Sequence, residues 1–172
     1  HKIPAIPTLY LKKHHLFSMP NNRLLIKATS SGTSGKKSMI GYNFSSLYRG
    51  LRMILSLGKK HHLFSLKPVH YLLFGYQPHK SNETVISKTT YGFTYFAPAL
   101  SRTYALKYTK DGYQLDLDNL KNKFIQYSKK KVPVRTAGFP AYTYFLLKQM
   151  KEEGLKVQLP KGSLMPLGGG WK

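Results

Sequence analysis

The sequence contains no cysteine. That excludes a disulfide framework, a thiolate metal site and a cysteine nucleophile within these residues. Acids are nearly as scarce: six Asp and Glu stand against 28 Lys and Arg, and none precedes Glu83. Carboxylates this few and this late indicate neither a paired-carboxylate site nor a Ser-His-Asp arrangement. No apolar run approaches the roughly 20 residues that a membrane helix needs. No signal-peptide pattern opens the chain. Together these absences lead to the expectation of a soluble, cytoplasmic protein without a membrane span.

What is present is a globular composition, 172 residues with 41% hydrophobic side chains, enough for one domain with a real core. The formal charge of +22 would concentrate polyanions near the surface and speed their arrival. The cations are spread along the chain, with one triple at Lys129, Lys130 and Lys131. Such an imbalance fits a dedicated anion binder, or a fragment whose acidic complement lies elsewhere. His1 in place of Met and the abrupt Gly168–Lys172 terminus favour the fragment.

Periodicity orders the chain. The stretch to Pro20 holds Pro4 and Pro7 and reads as an irregular lead-in. Arg23–Ala28 and Ser38–Tyr42 read as strands around a polar loop. Asn43 or Ser45 can cap a helix with Leu47, Leu51, Ile54 and Leu55 on one face and Gly58 as its stop. Val69–Phe74 is a strand, and Gln77–Thr90 reads as surface loop. Thr103–Tyr108 is a strand closed by a Lys110-Asp111-Gly112 turn. Asp116 can cap a helix carrying Leu117, Leu120, Phe124 and Tyr127. Val132–Ala137 is a strand, and Pro140 opens a helix with Thr143, Leu146, Leu147 and Met150 inward and Gly154 as its stop. Ser163–Leu167 is the last strand. Helices between short apolar strands predict an α/β fold: a largely parallel, mixed sheet with crossover helices, read as a single domain over residues 1–172.

The segment Thr29-Ser30-Ser31-Gly32-Thr33-Ser34-Gly35-Lys36-Lys37-Ser38 carries the chemistry. Glycines let backbone N–H groups approach an anion, hydroxyls add donors without bulk, and lysine supplies a compact charge for phosphate oxygens. It is not a Walker loop, because Gly35-Lys36 is followed by Lys37 rather than Ser or Thr. By composition alone the segment equally fits a Ser/Gly-rich surface loop.

The order of residues resembles the phosphate-binding signature of adenylate-forming enzymes, roughly [ST]-[ST]-G-[ST]-[ST]-G-x-P-K. Ser30, Ser31, Gly32, Thr33, Ser34 and Gly35 match it. Lys37 stands at the usual Pro and Ser38 at the usual Lys, so Lys36 or Lys37 would supply the charge. The variant resembles the acyl-protein synthetase branch, the fatty-acid-activating subunit of the bacterial luminescence reductase complex, with phenylacetate–CoA ligases as distant relatives. Ile3–Pro7 with Leu11-Lys12, Gly138-Phe139-Pro140 with Glu152–Leu155, and Gly168-Gly169-Gly170-Trp171-Lys172 extend the resemblance over nearly the whole chain.

The resemblance implies a ligase that uses ATP and Mg²⁺ to turn a carboxylic acid, fatty or aromatic, into an acyl adenylate for a thiol, an acyl acceptor or a reductase partner. It implies that Ser30, Ser31, Gly32, Thr33, Ser34, Gly35, Lys36 and Lys37 bind the ATP phosphates and that Gly168, Gly169 and Gly170 lie against the adenine. Gly138 and Phe139 are candidates for the acyl pocket, although an aromatic there is also a natural core residue. No catalytic residue is assigned within the chain. The fragment would belong to the large N-terminal domain. The Mg²⁺ acid, the ribose Asp, a small mobile C-terminal domain and an acceptor Cys are expected beyond Lys172. The 172 residues are accordingly expected to bind nucleotide weakly without turnover.

Two other constellations weigh less. His14-His15 and His61-His62 are adjacent pairs whose side chains diverge, which is poor chelation geometry, and no metal site is assigned. Tyr91-Gly92-Phe93-Thr94-Tyr95-Phe96, preceded by Lys88, has the aromatic content of an RNA-binding strand. A nucleic-acid-binding domain using the +22 charge is therefore the alternative function. Its K/R-G-F-G/A-F-V-x-F pattern is not met.

Overall fold

Strand β1 (Ile26–Thr29) runs back along β2 (Met39–Tyr42) as an antiparallel pair, with Ile26 opposite Tyr42 and Thr29 opposite Met39. The computed structural model describes residues 5–7, 10, 13–14, 16–29, 38–82 and 85–167. The chain divides into two compact units. One reaches Leu57; the other comprises Gly58–Asn82 and resumes at Ile86.

Helix α1 (Phe44–Lys60) follows β2; it belongs to the first unit as far as Leu57, and its last three residues belong to the second. Asn43 is its cap: its Oδ1 accepts the Ser46 N–H at 2.8 Å, satisfying a donor that the helix itself leaves unpaired. The predicted apolar face does not become core. Leu51 is 53% exposed, and Ile54 and Leu55 are also exposed. Gly58 does not stop the helix. It is buried two residues before the helix ends at Lys60, where a Cβ would collide with the Phe64 ring. The reversal falls instead at His62, with φ at 52°.

The second unit is built on β3 (Val69–Tyr76), whose first seven residues are all buried. A central strand covered on both faces reads as an unbroken apolar run, which is how it appears in the sequence. The sheet order is β5-β4-β3-β6, with β4 spanning Ala99–Thr109, β5 Gly112–Leu115 and β6 Val134–Gly138. β3 is parallel to both β4 and β6, while β5 turns back antiparallel on β4. The sheet is thus mixed and the α/β expectation holds. Strand β5 went unread in the sequence because it is only four residues long. It forms because Gly112, with φ at 105°, closes the Lys110-Asp111 turn.

Alternate residues of the sheet feed two cores. Leu72, Phe74, Ala105 and Val134 pack against helices α3 (Leu117–Ser128) and α4 (Pro140–Glu152) through Leu120, Phe124, Leu146 and Met150. Leu147, read as inward, is exposed. Asp116 caps α3 by accepting the Asn119 N–H at 3.0 Å. Gly154, with φ at 68°, ends α4: it donates to the Lys151 carbonyl while Leu155 donates to that of Met150, a Schellman closure. On the other face, Val69, Tyr71, Leu73, Ala97 and Tyr104 form the second core.

Helix α2 (Val85–Gly92) lies where a surface loop was read, and its Ser87 and Thr90 are buried. Thr90 packs over Gly75. The expected strand at Ser163–Leu167 contracts to a single parallel bridge from Leu164 to Arg135. Among the described residues no helix is long and apolar enough to cross a membrane.

Candidate functional site

Parallel strands deliver their carboxyl ends to one edge of the sheet. Where neighbouring strands send their connections to opposite faces, those ends leave a crevice. β3 exits at Tyr76 toward α2, which packs on the face of the second core. Its neighbour β6 exits at Gly138 into α4, which packs on the face of the first. The Gly138-Phe139-Pro140 turn and the end of β3 therefore lie side by side at the carboxyl edge of the parallel strands.

The turn depends on its glycine. Gly138 has φ at 129°, and a Cβ there would run into the Phe74 carbonyl group. This close approach lets Phe139 donate its N–H to the Phe74 oxygen at 2.7 Å, locking the two strand ends together. Pro140 then occupies the first turn of α4, where a missing N–H costs nothing. The Phe139 carbonyl accepts the Thr143 N–H at 3.3 Å.

Phe139 is half-buried and stands in a row of aromatic rings. Its ring meets Tyr142 edge to face at 5.5 Å and Tyr76 at 6.0 Å. Tyr76 in turn meets Tyr113 at 4.9 Å, and Tyr113 meets Tyr108 at 5.2 Å. His79 stacks on Tyr108 at 3.6 Å. The Tyr113 hydroxyl donates to the Gln77 carbonyl at 2.8 Å, and Gln77 Oε1 accepts the Tyr108 N–H. Burial, with the neighbouring Tyr76, raises the Tyr142 phenol above its ordinary pKa, so it stays a neutral hydroxyl. Chemically the row is an apolar wall with hydroxyl tips. Tyr76, Tyr113 and Tyr142 were not singled out in the sequence. Their only signal was position, at the end of an apolar strand and three residues after Phe139.

Of the sequence-predicted site, Gly138 and Phe139 are the residues that the structure describes. Ser30, Ser31, Gly32, Thr33, Ser34, Gly35, Lys36 and Lys37 lie outside the described residues, as do Gly168, Gly169 and Gly170. The frame of the first group is described: β1 and β2 bring Thr29 and Met39 opposite each other, so the segment leaves and re-enters at adjacent strand ends. Among the described residues no group of three or more His, Asp or Glu is placed to hold a metal ion.

The RNA-binding alternative loses its strand. Tyr91 and Gly92 end α2, and Phe93–Tyr95 form a 3₁₀ turn with Thr94 buried, so no flat aromatic face is presented there. The cause is local: the Thr94 hydroxyl donates to the Tyr91 carbonyl at 2.8 Å and holds the turn.

No individual curated protein matches this chain. A family sequence profile described as "Acyl-protein synthetase, LuxE" matches residues 1–172. With the whole length matched, the chain belongs to the LuxE acyl-protein synthetases, a family of enzymes.

Proposed function

We propose that the protein activates a fatty or aromatic carboxylic acid with ATP. A carboxylate oxygen attacks the α-phosphorus, the bond from that phosphorus to the bridging oxygen breaks, and pyrophosphate leaves with the electron pair. The acyl adenylate that remains passes its acyl group to a thiol or to a partner protein, such as the reductase of a luminescence complex. The acceptor bonds to the acyl carbon, and the bond from that carbon to the phosphate oxygen breaks with AMP taking the electron pair. The observation that carries this reading is membership of the acyl-protein synthetase family over the whole chain, joined to the residue order of the Ser30–Lys37 segment.

In this reading Ser30 to Lys37 hold the β- and γ-phosphates. Backbone N–H groups, hydroxyls and a lysine charge are the kinds of group that stabilise negative charge gathering on phosphate oxygens. Gly168 to Gly170 flank the adenine, where small residues let a flat base lie on the backbone. Gly138 and Phe139, with the tyrosines beside them, form one wall of the acyl site and keep water from the carboxylate's tail. Magnesium accompanies ATP in this chemistry. The described residues gather no carboxylate set for it, and this reading assigns the residues named above the roles of phosphate donors and acyl wall.

Calorimetric titration tests the reading. ATP binds in preference to a single-stranded oligonucleotide of matched charge, and Gly32→Val or Lys36→Ala with Lys37→Ala weakens ATP at least tenfold. Tight oligonucleotide binding that falls steeply with salt, with ATP indifferent to those changes, would sink it.

A further inference from the structure

At the opposite end of the parallel strands from Phe139 lies a cleft of about 540 Å³, lined by Phe64, Leu66, Tyr95, Phe96, Pro98 and Arg102 among others. Val69, which opens β3, pairs with Ala99, which opens β4. Seven residue steps along β3 therefore separate this cleft from the Phe139 end, roughly 23 Å. Its volume falls within the range of about 300–1,000 Å³ typical of small-molecule sites.

The lining is apolar with one cation. Leu66 is 97% exposed at the rim, and Tyr95 and Phe64 are exposed beside it. The Phe64 and Phe96 rings meet edge to face at 5.1 Å. The Arg102 guanidinium is held in place: Nε donates to the Thr94 hydroxyl at 2.9 Å, and its carbon lies 5.8 Å from the centre of the Tyr91 ring. Among the described residues no carboxylate pairs with it, since the four ion pairs there all belong to lysines. Its two terminal NH2 groups thus keep donors to offer. Two residues along the same face of β4, the buried Tyr104 hydroxyl has no hydrogen-bond partner among the described residues. Tyr104 does not line the cleft, so its hydroxyl is no part of the seat; the Arg102 guanidinium beside a mostly apolar lining matches a ligand that has one anionic end and one apolar end.

We propose that this cleft is a second seat for an amphipathic monocarboxylate, with Arg102 receiving the carboxylate and Phe64, Leu66, Tyr95 and Phe96 receiving the chain. The seat is separate from the acyl wall at Gly138 and Phe139 and does not depend on the nucleotide reading. A guanidinium fits a carboxylate in a planar, two-point contact, and each buried methylene strengthens binding about fourfold.

Titration of dodecanoate against dodecanol, without nucleotide, tests the proposal. The acid binds about tenfold tighter than the alcohol. Arg102→Gln removes that preference, while Lys110→Gln, which deletes the same charge just past the far end of β4, keeps it. Gly32→Val leaves dodecanoate affinity unchanged, so failure of the ATP reading stays distinguishable from failure here. A photoreactive fatty acid labels peptides containing Leu66 or Tyr95. Labelling confined to the Phe139 peptide, a preference that survives Arg102→Gln, or no binding at all would overturn it.

Discussion

Replacing Gly138 with alanine puts the strand-to-helix turn of the acyl wall to a quantitative test. Two costs follow from the geometry. A φ of 129° lies where a residue with a Cβ is strained by about 1–3 kcal/mol. The new methyl also meets the Phe74 carbonyl group, which is backbone and cannot swing aside. Relief requires β6 to move from β3, and that lengthens or breaks the 2.7 Å bond from the Phe139 N–H to the Phe74 oxygen, a further ~1 kcal/mol. The expected loss is about 3 kcal/mol, a large share of the ~5–15 kcal/mol that holds a domain together. Urea unfolding followed by circular dichroism reads it, with a thermal midpoint lower by roughly 2–4 °C per kcal/mol. Gly50→Ala is the control. Nothing lies within 4 Å of its Cβ position inside α1, so it gains up to about 1 kcal/mol of helix propensity. A Gly138→Ala protein within ~1 kcal/mol of the parent would refute the reasoning.

Two pH-linked predictions go with it. Asp116 is held below the ordinary carboxylate pKa, first by its hydrogen bond from Lys107 and then by the Asn119 N–H, with burial opposing. Its stabilisation is complete above the unfolded carboxylate value and fades as pH falls through the folded one. Asp116→Ala therefore costs about 1 kcal/mol at pH 7, and less at pH 3, by urea midpoints. The Lys107 pair, 2.6 Å long but partly exposed, adds little to this. His70 is 7% exposed, stacked on Tyr127 at 3.9 Å and hydrogen-bonded through Nδ1 to Ser101 at 2.8 Å. Burial, then Lys130 and Lys123, lowers its pKa. The unfolded chain thus takes up the proton first, and stability falls as pH drops below about 6.5 toward the folded value. Thermal midpoints from pH 7.5 to 5 show that slope, and His70→Gln flattens it. An unchanged slope would assign the acid sensitivity elsewhere.

Reading the chain without its fold succeeded wherever one segment settles its own structure. The Asp116 cap, the Pro140 start and the Gly154 stop are local hydrogen-bonding matters and stand as read. Of the two caps offered for the first helix, Asn43 and Ser45, it is Asn43 that makes the bond. The compact apolar run Val69–Phe74 read as a strand from its length, and it is the central strand of the sheet. Misreadings fell where a distant contact decides. Gly58 looked like a helix stop, but it is buried under the Phe64 ring and the chain reverses only at His62. Helix α2 looked like loop because its segment is polar, yet Thr90 packs on Gly75.

By itself, then, the sequence determined the α/β class, the family and the phosphate-loop candidate, because periodicity, capping chemistry and a position-by-position motif need no partner across the fold. Tertiary structure alone decided which aromatic rings stand beside Phe139. It also decided why Gly138 must be glycine, and that Arg102 tops an apolar cleft. Each of those depends on β4, β3 and β6 lying side by side, an arrangement set by strand pairing between segments tens of residues apart.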